Sequence, residues 1–509
     1  MEELALIDLL ERFGSTIYSD PHGCYSLLRS ESPVQNVVLP DGRRCHLVLD
    51  HAGARLMLSS NSVSNQRPGS GDSHMLESDD PRHSMLRQTI AGTFSKSGIR
   101  AMTPAISHIV DQQLALLPED EDVDLVPTLA RVVPVLVTAR LLGILPEDEP
   151  RLSRWTTEFL ATDDGARRMA GARAELTDFI SQIFEKRHPV DGNGLIGDLL
   201  ARPRRSGVTD DDLIATITLL VVAGHEATVN LITNAIWCYL SFPHVAQALA
   251  AGTADVDDLI AETLRFQPPL TLSSSRYLTR DLELSGTALK GDGQLVIASF
   301  ASANRDEAKY ENPDLFLLGR RTAGHLGFGS GAHRCLGDGL AIAEARCVVG
   351  ELIGRFPDMS HREETRWRPS CISRSQHSLV VRLDGGAPGS GTARGHQRES
   401  RPMQNSPEVT EQIRSIVLEV LHDSDGTTTE ADLELDTDLR GYLGFDSLSI
   451  MYVLSTAEER FGVTLGDAEL MTSTMSVRVL ASYIEAALAR QSTRTPTVNH
   501  PNAPVGEML

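Results

Sequence analysis

The sequence predicts a mainly α-helical protein in which a flexible linker joins a large unit to a small one. An apolar segment from about Thr209 to Leu240 begins with three aspartates, which favour the positive end of a helix dipole. The composition changes after Val381 to a stretch rich in Gly, Ser, Pro and charge, without apolar periodicity. Beyond it, apolar residues recur at helical spacing in three short segments.

These observations divide the 509 residues into four parts. Residues 1–383 form the large unit, 384–407 the linker, 408–490 the small unit and 491–509 a disordered tail. The apolar spacing in the small unit predicts a bundle of three or four helices, in which the apolar stripes of the helices meet in the interior. The stripes are Ile413, Ile416, Val417, Val420 and Leu421; Ile450, Val453, Leu454, Ala457 and Phe461; and Leu480, Tyr483, Ile484 and Ala487. In the large unit, residues 37–49 predict a β-hairpin around Asp41-Gly42.

Composition and charge argue against several classes of protein. The formal net charge of −22 leaves no general basic field for nucleic acid. The longest apolar run, Leu213 to Gly224, is far shorter than the roughly 20 residues of a membrane span. Acidic residues follow Met1, where a secretory signal would be basic, and the six cysteines have no CxxC spacing. We therefore expect a soluble cytoplasmic protein that binds neither nucleic acid nor membrane.

The densest chemical signal is the segment from His325 to Gly337, HLGFGSGAHRCLG. Its glycines allow backbone to pass close to a flat ligand, and Cys335 lies just before an apolar helix predicted from about Gly337 to Gly350. Free N–H groups at a helix start favour a thiolate, the form of cysteine that binds a metal. A lone cysteine in a glycine-rich turn is usually only buried, but this spacing favours a metal ligand.

The segment resembles the heme-binding signature FGxGxHxCxG of the cytochrome P450 family, and the resemblance covers about residues 1–383. It implies a large helical domain with small β-sheets, heme b, and Cys335 as axial ligand of the iron. It also implies heme contacts by Phe328, Gly329, His333 and Gly337. A monooxygenase of this kind uses molecular oxygen. Because the sequence shows no flavin or iron-sulfur motif, its electrons are expected from an external ferredoxin and ferredoxin reductase.

Other family landmarks occur in the expected order. Glu262-Thr263-Leu264-Arg265 matches the ExxR helix, whose Glu and Arg pair with a later arginine, here Arg320 or Arg321. His83 and Arg87 share one helix face. The resemblance implies that this pair, Arg276 and His333 bind the heme propionates. Asn304-Arg305-Asp306 matches a structural landmark.

One landmark departs from the family pattern. Ala223, Gly224 and Glu226 fit the oxygen-activation segment of the long helix, but Ala227 replaces its usual threonine. Thr228 lies about 100° further round the helix and does not simply supply the missing hydroxyl. A substrate hydroxyl or ordered water could complete the proton relay, the reaction could differ from hydroxylation, or coupling could be poor. Glu226 remains as an acid that reaches the site through water.

The small unit contains the motif Asp446-Ser447-Leu448 at the start of its second predicted helix. Serine there is usually only a helix cap, but this acidic bundle resembles an acyl carrier protein. The resemblance implies that Ser447 carries 4'-phosphopantetheine, which requires a phosphopantetheinyl transferase and an acyl- or aminoacyl-loading enzyme. The phosphodiester would lie at a helix N-terminus, where the dipole favours anions.

Together the two resemblances predict an enzyme that oxidises, by hydroxylation, a chain held as a thioester on its own carrier domain. The expected context is natural-product biosynthesis. Desaturation or carbon–carbon cleavage of the carried chain is an alternative, as is oxidation of a free molecule with the carrier used for docking. A carrier scaffold with an inactive heme unit is the non-enzymatic alternative. Residues 270–275 and 59–78 are expected to border the pocket.

Overall fold

The computed structural model divides the chain into two compact units, Met1–Ala387 and Pro388–Leu509. This division falls inside the predicted linker. The structure describes residues 21–38, 43–69, 74–118, 121–159, 165–186, 188–203, 207–363, 365–370 and 372–383. In the second unit it describes residues 413, 414, 417, 460, 461, 477, 480, 481 and 484. Ser447 lies outside the described residues.

Helices dominate the first unit, as predicted. They are α1 Pro21–Glu31, α2 His51–Ser59, α3 Arg82–Ile90, α4 Lys96–Leu114, α5 Val132–Leu142, α6 Glu149–Phe159, α7 Gly165–Phe184, α8 Leu195–Ala201, α9 Asp210–Ser241, α10 Pro243–Ala250, α11 Val256–Phe266, α12 Phe300–Ala303 and α13 Asp338–Arg355. Short 3₁₀ turns cover Met75–Glu77 and Pro146–Asp148, and a π-helical turn covers Val126–Ala130.

The long helix α9 begins one residue after the position predicted for its start. Thr209 caps it by accepting a hydrogen bond from the Asp212 N–H, and the Asp212 carboxylate accepts from the Thr209 N–H in return. This reciprocal pair satisfies two amides that a helix start otherwise leaves unbonded. Among the described residues, α9 alone is long and apolar enough to cross a membrane. In the structure 56% of its most apolar stretch is buried inside the protein.

The strands form three small sheets. They are β1 Val34–Val38, β2 Arg44–Val48, β3 Val63–Ser64, β4 Glu121–Asp124, β5 Arg276–Leu278, β6 Leu282–Leu284, β7 Thr287–Leu289, β8 Leu295–Ala298, β9 Ser360–His361 and β10 Val380–Leu383. The largest sheet has the order β1-β2-β8-β5-β3, and the others are β4-β10-β9 and β6-β7. The antiparallel pairing of β1 and β2 matches the predicted hairpin, and β2 also pairs in parallel with β8.

Helix α9 passes through the core and contributes to both large apolar clusters. Its N-terminal half packs with α5, α6 and α7 through residues such as Ile217 and Leu176. Its C-terminal half packs with α11 and α13 through Ile232 and Val348. Because both halves are fixed by burial, the middle of α9 is held in a defined position.

The few described residues of the second unit are helical. Ile413 and Val417 are fully buried one turn apart, as are Leu480 and Ile484. These four positions belong to two of the predicted apolar stripes. The other stripe positions, apart from Phe461, lie outside the described residues.

Candidate active site

The middle of α9 presents an open face between two buried halves. Ala223 and Gly224 are exposed, whereas Val221 and His225, on other faces, are buried. A Cβ atom added at Gly224 would meet no atom within 4 Å. Small residues at this point therefore leave room beside the helix for a ligand.

The cysteine loop is shaped by two glycines in the left-handed region. Gly329 has φ +69° and Gly331 has φ +75°, and a Cβ atom on Gly331 would lie 2.4 Å from the Leu58 carbonyl oxygen. Any other residue at position 331 would therefore push the loop away from α2. Within the loop the Cys335 N–H donates to the Phe328 carbonyl at 2.9 Å, which fixes the backbone of the cysteine.

Burial raises the pKa of the Cys335 thiol above its ordinary value, although the Gly337 N–H and the nearby charges of Arg334 and Arg87 act in the opposite direction. The cysteine is accessible, yet the surrounding protein keeps water from much of its sulfur. The N–H group at the helix start therefore favours the thiolate, as expected, but it does not by itself outweigh burial. A coordinated metal removes the proton from a cysteine ligand outright.

Four basic side chains from three segments converge near the cysteine loop. His83 and His333 stack with ring centroids 3.8 Å apart. The pKa of His333 is lowered to about 3, first by burial and then by the charges of His83, Arg276 and Arg87. Burial lowers the pKa of Arg276 to about 10, and its guanidinium donates to the Ser274 hydroxyl at 2.5 Å. The structure thus brings His83, Arg87, Arg276 and His333 together.

The residues of this region fit a heme. Asp79 is the one carboxylate among the groups found to act on His333, and it already accepts hydrogen bonds from the Asn65 N–H and the Ser64 hydroxyl. The Nδ1 atom of His83 is buried without a hydrogen-bond partner among the described residues, and the Asp80 carboxylate lies 3.6 Å from it. Two propionates would supply the acceptors that these donors need. Cys335 and the open face at Gly224 would accommodate the iron and the ring.

Glu226, the acid of the oxygen-activation segment, is half-buried on α9. Ser373 and Asn230, the latter one turn along the helix, lie near its carboxyl group and favour its charged form, and Arg368 lies near enough to act on its charge. Burial outweighs these contacts and raises the pKa of Glu226. The group therefore holds a proton to higher pH than an exposed glutamate does, as a proton donor requires.

Thr228 does not take the place of the missing hydroxyl. Its side chain is buried, and its hydroxyl donates to the Gly224 carbonyl at 2.8 Å, one turn back along α9. Such a bond to the preceding turn is common for threonine within helices. Ala227 is half-buried and brings no hydrogen-bonding group. The described side chains thus leave the usual threonine position unfilled.

A buried ion-pair network joins α11 to the segment before the cysteine loop. Arg265 donates to both carboxylate oxygens of Glu262, at 2.8 and 2.7 Å, and Arg320 donates to one of them at 3.3 Å. Arg265 also donates to the carbonyls of Asn304, Pro313 and Leu315. Of the two arginines that the sequence left open, Arg320 makes the contact, and Arg321 is exposed. The network fixes the segment that leads into the heme-binding loop.

We expect Glu262→Gln to lower the free energy of unfolding by about 3–5 kcal/mol, because it leaves the buried Arg265 without its counter-charge. All three tryptophans lie in the first unit, so denaturant unfolding followed by their fluorescence reports on that unit alone. Asp257→Asn is the control, since its pair with Arg346 is exposed. Asp257→Asn should lower the free energy of unfolding by about 1 kcal/mol or less. Equal stability of the two variants would contradict the role given to Glu262.

The buried histidine of α9 predicts acid sensitivity. Burial and the charge of Arg131 lower the pKa of His225 to about 3. Below about pH 6.5 the unfolded chain binds a proton that the folded chain cannot, so stability falls as the pH falls. Between pH 6.5 and 5, protonation of His225 in the unfolded chain should lower the free energy of unfolding by about 2 kcal/mol. Denaturant titrations at pH 7 and pH 5 measure this effect. Between these two pH values the free energy of unfolding should fall by about 2 kcal/mol less in His225→Leu than in the wild type. Parallel losses would contradict this expectation, and His108→Leu, at an exposed position of α4, is the control.

Comparison with known proteins bears on both units. The cytochrome P450 family model matches residues 256–371, and the phosphopantetheine attachment site model matches residues 411–484. The cytochrome P450 monooxygenase PikC of Streptomyces venezuelae is 32% identical over 390 residues, which are 73% of this chain and 93% of PikC. The cytochrome P450 PksS of the Bacillus subtilis bacillaene polyketide synthase has a TM-score of 0.67 at 27% identity, covering 72% of this chain and 98% of PksS.

A third relative was solved with a carrier protein. P450BioI in complex with an acyl carrier protein ligated to hexadec-9Z-enoic acid has a TM-score of 0.65 at 26% identity. The match covers 72% of this chain and 99% of that chain.

The chain belongs to the cytochrome P450 family, and its first unit has the fold of that family. It is an oxidoreductase of the monooxygenase type that uses heme. Its second unit is a phosphopantetheine-binding carrier domain, so the protein also uses 4'-phosphopantetheine. As in other bacterial members, electrons come from external redox partners, and the carrier domain requires a phosphopantetheinyl transferase.

When heme is bound, its thiolate ligand donates electron density that favours cleavage of the O–O bond. The chain's own residues would hold and surround the group. Cys335 would bind the iron, the four basic side chains would bind the propionates, and Phe328, Gly329 and Gly337 would line the proximal loop. Ala223 and Gly224 would leave space for the group beside α9, and Glu226 would hold a proton for its chemistry.

Several contributors to the site were not foreseen from the sequence. Ser373 and Arg368 act on Glu226 from loops distant in sequence, and Asp79, four residues before His83, acts on His333. None belongs to a motif, so only the fold identifies them. His225 occupies the variable position of the α9 segment, and only its burial in the structure identifies it.

Proposed function

We propose that the heme unit hydroxylates an acyl or aminoacyl chain held as a thioester on the phosphopantetheine arm of Ser447 in the same chain. The supporting observation is that one polypeptide carries both a P450 monooxygenase unit and a phosphopantetheine attachment site. P450BioI, a relative at 26% identity, binds a fatty acyl chain that is ligated to an acyl carrier protein. A P450 of a polyketide synthase is a further relative, which favours natural-product biosynthesis.

The proposed reaction inserts one atom of dioxygen into a C–H bond and releases the other as water. It consumes two electrons from an external ferredoxin system and two protons. Glu226 would deliver protons through water. The linker of residues 384–407 has a root-mean-square reach of about 25 Å as a flexible chain. Tethering on that scale gives an effective concentration in the millimolar range, so a weak encounter between the units is sufficient.

The proposal also assigns the partners and the location. A loading enzyme would supply the acyl or aminoacyl group. A cytoplasmic location supplies the reductants that a ferredoxin system needs, and the five cysteines that the structure describes are all free thiols, as a reducing compartment requires.

The test uses the full-length protein with heme bound. A phosphopantetheinyl transferase loads it with a panel of acyl-pantetheine groups, and a ferredoxin and its reductase supply electrons. Mass spectrometry then follows the tryptic peptide 441–460, which contains Ser447. A gain of one oxygen atom on the carried chain supports the proposal. Loss of two hydrogens would show desaturation, and a shortened chain would show cleavage.

Two results would overturn the proposal. Ser447 that stays unmodified in protein from the producing organism would remove the self-loaded substrate. Turnover of free acids or alcohols, with carried chains left untouched, would make the carrier a docking domain. Absence of any turnover, together with a normal heme spectrum, would favour the inactive scaffold.

A further inference from the structure

His225 is a buried imidazole with no hydrogen bond to the protein. Only 2% of its surface is exposed, and neither ring nitrogen has a partner among the described residues. A neutral imidazole has one N–H donor and one acceptor nitrogen. Leaving both unbonded would cost as much as two lost hydrogen bonds, so buried polar atoms of this kind are normally satisfied by ordered water.

The groups around His225 have the same unmet needs. The charge of Arg131, at the start of α5, acts on His225, and the Nε atom of Arg131 is also buried without a partner among the described residues. Asn230 lies near the Glu226 carboxyl group, and its Nδ2 atom is buried without a hydrogen-bond partner among the described residues. We call His225, Arg131, Glu226 and Asn230 the His225 cluster.

Electrostatic interactions connect Arg131 and Glu226, the two ends of the His225 cluster. Arg368, in the segment between β9 and β10, acts on the charges of both Arg131 and Glu226. Asp124 of β4 acts on Arg131, but one of its oxygens already accepts from the amides of Val126 and Leu379. The unbonded atoms therefore include donors and an acceptor, a mixture that suits water better than an anion, which only accepts.

We infer that the His225 cluster holds a chain of ordered waters that reaches Glu226, and that His225 is a positioning residue for proton supply. In each turnover the Glu226 carboxyl group gives up its proton toward the heme side and takes another from the adjacent water. His225 stays neutral and only orients that water. Ala227 provides no hydroxyl group that could pass on protons. The waters held by His225 therefore carry a larger share of the protons than they would if a threonine stood at position 227. This inference rests on the proton role given to Glu226 in the proposed function.

The first test is a crystal structure of the protein with heme bound, at a resolution that places waters. The inference expects water within hydrogen-bonding distance of both ring nitrogens of His225 and of Arg131 Nε. Ring nitrogens packed only against carbon atoms would overturn it, whatever the enzyme does in turnover.

The second test compares His225→Leu, His225→Asn and the control His361→Leu. The leucine variant should convert electrons into product about tenfold less efficiently and release more hydrogen peroxide, since assisted proton transfer typically contributes about 10²–10⁴-fold and His225 acts on it only through water. Its solvent isotope effect on product formation should rise. His225→Asn, which keeps a donor and an acceptor, should restore most of the coupling, and the heme spectra of all variants should be unchanged.

Wild-type coupling in His225→Leu, or a loss that His225→Asn does not restore, would overturn the inference. The measurements use a free surrogate substrate as well as a carried one. If the carried chain is not oxidised but the surrogate shows the His225 effect, the proposed function fails and the inference stands. If Glu226→Gln keeps wild-type coupling, the inference fails while oxidation on the carrier stands.

Discussion

Ser447→Ala should abolish phosphopantetheinylation, and an acyl-pantetheine supplied free in solution should be oxidised about 10²–10⁴-fold less efficiently than the same chain carried on the wild-type protein. That range is the advantage that tethering confers over free encounter. The variant still contains every residue of the heme site, so its heme spectrum and its turnover of a free surrogate should match the wild type. Mass spectrometry of peptide 441–460 and product analysis measure the two effects.

Ser449→Ala is the matched control, because it changes a nearby serine outside the Asp-Ser-Leu motif. It should remain fully loaded and active. Mixing the Ser447→Ala protein with a heme-inactive chain that keeps its carrier tests whether one chain can serve another. Product at the wild-type rate in that mixture would show that the carrier does not depend on its own heme unit. Full activity of Ser447→Ala on its own would contradict the proposed function.

Cys335→Ser should eliminate monooxygenase turnover and the thiolate signature in the carbon monoxide spectrum of the reduced protein. A serine hydroxyl is a poor iron ligand and donates far less electron density than a thiolate. The fold should survive, because the Cys335 backbone bond to Phe328 does not involve the sulfur. Tryptophan fluorescence should show near wild-type unfolding, so that loss of activity is not mistaken for loss of structure.

Cys347→Ser is the control for this substitution. Cys347 is a half-buried cysteine of α13, and its sulfur lies 3.8 Å from the Ser107 hydroxyl. It should keep the thiolate spectrum and activity. A thiolate spectrum that persists in Cys335→Ser, or that disappears in Cys347→Ser, would contradict the assignment of Cys335 as the iron ligand.

The sequence predicts those parts of the structure that depend on local chemistry. The limits of α9 follow from its aspartates and its apolar length, and the start of α13 follows from the glycine-rich loop before it. The convergence of His83, Arg276 and His333 could be expected only through resemblance to a family, because about 250 residues separate the first from the last. No local pattern brings such residues together.

The remainder could not be predicted because it depends on burial and distant contacts. The raised pKa of Cys335 reflects how much protein surrounds the sulfur, which the helix start does not reveal. The choice of Arg320 over its neighbour depends on which side chain turns towards Glu262. Glu226 and Ser373 are nearly 150 residues apart in the sequence, and no motif indicates that they lie near each other.

The parallel pairing of β2 with β8 has a consequence for synthesis of the protein. It joins residues 45–48 to residues 295–298, and β8 in turn pairs with β5, which carries Arg276. Early segments must therefore wait, without their final partners, until most of the unit has left the ribosome. Contacts of such long sequence separation slow folding and leave apolar strands exposed meanwhile. Chaperone supply and slow translation near residue 300 should thus govern the yield of heme-loaded protein more than changes in the carrier domain, which is synthesised after the heme unit.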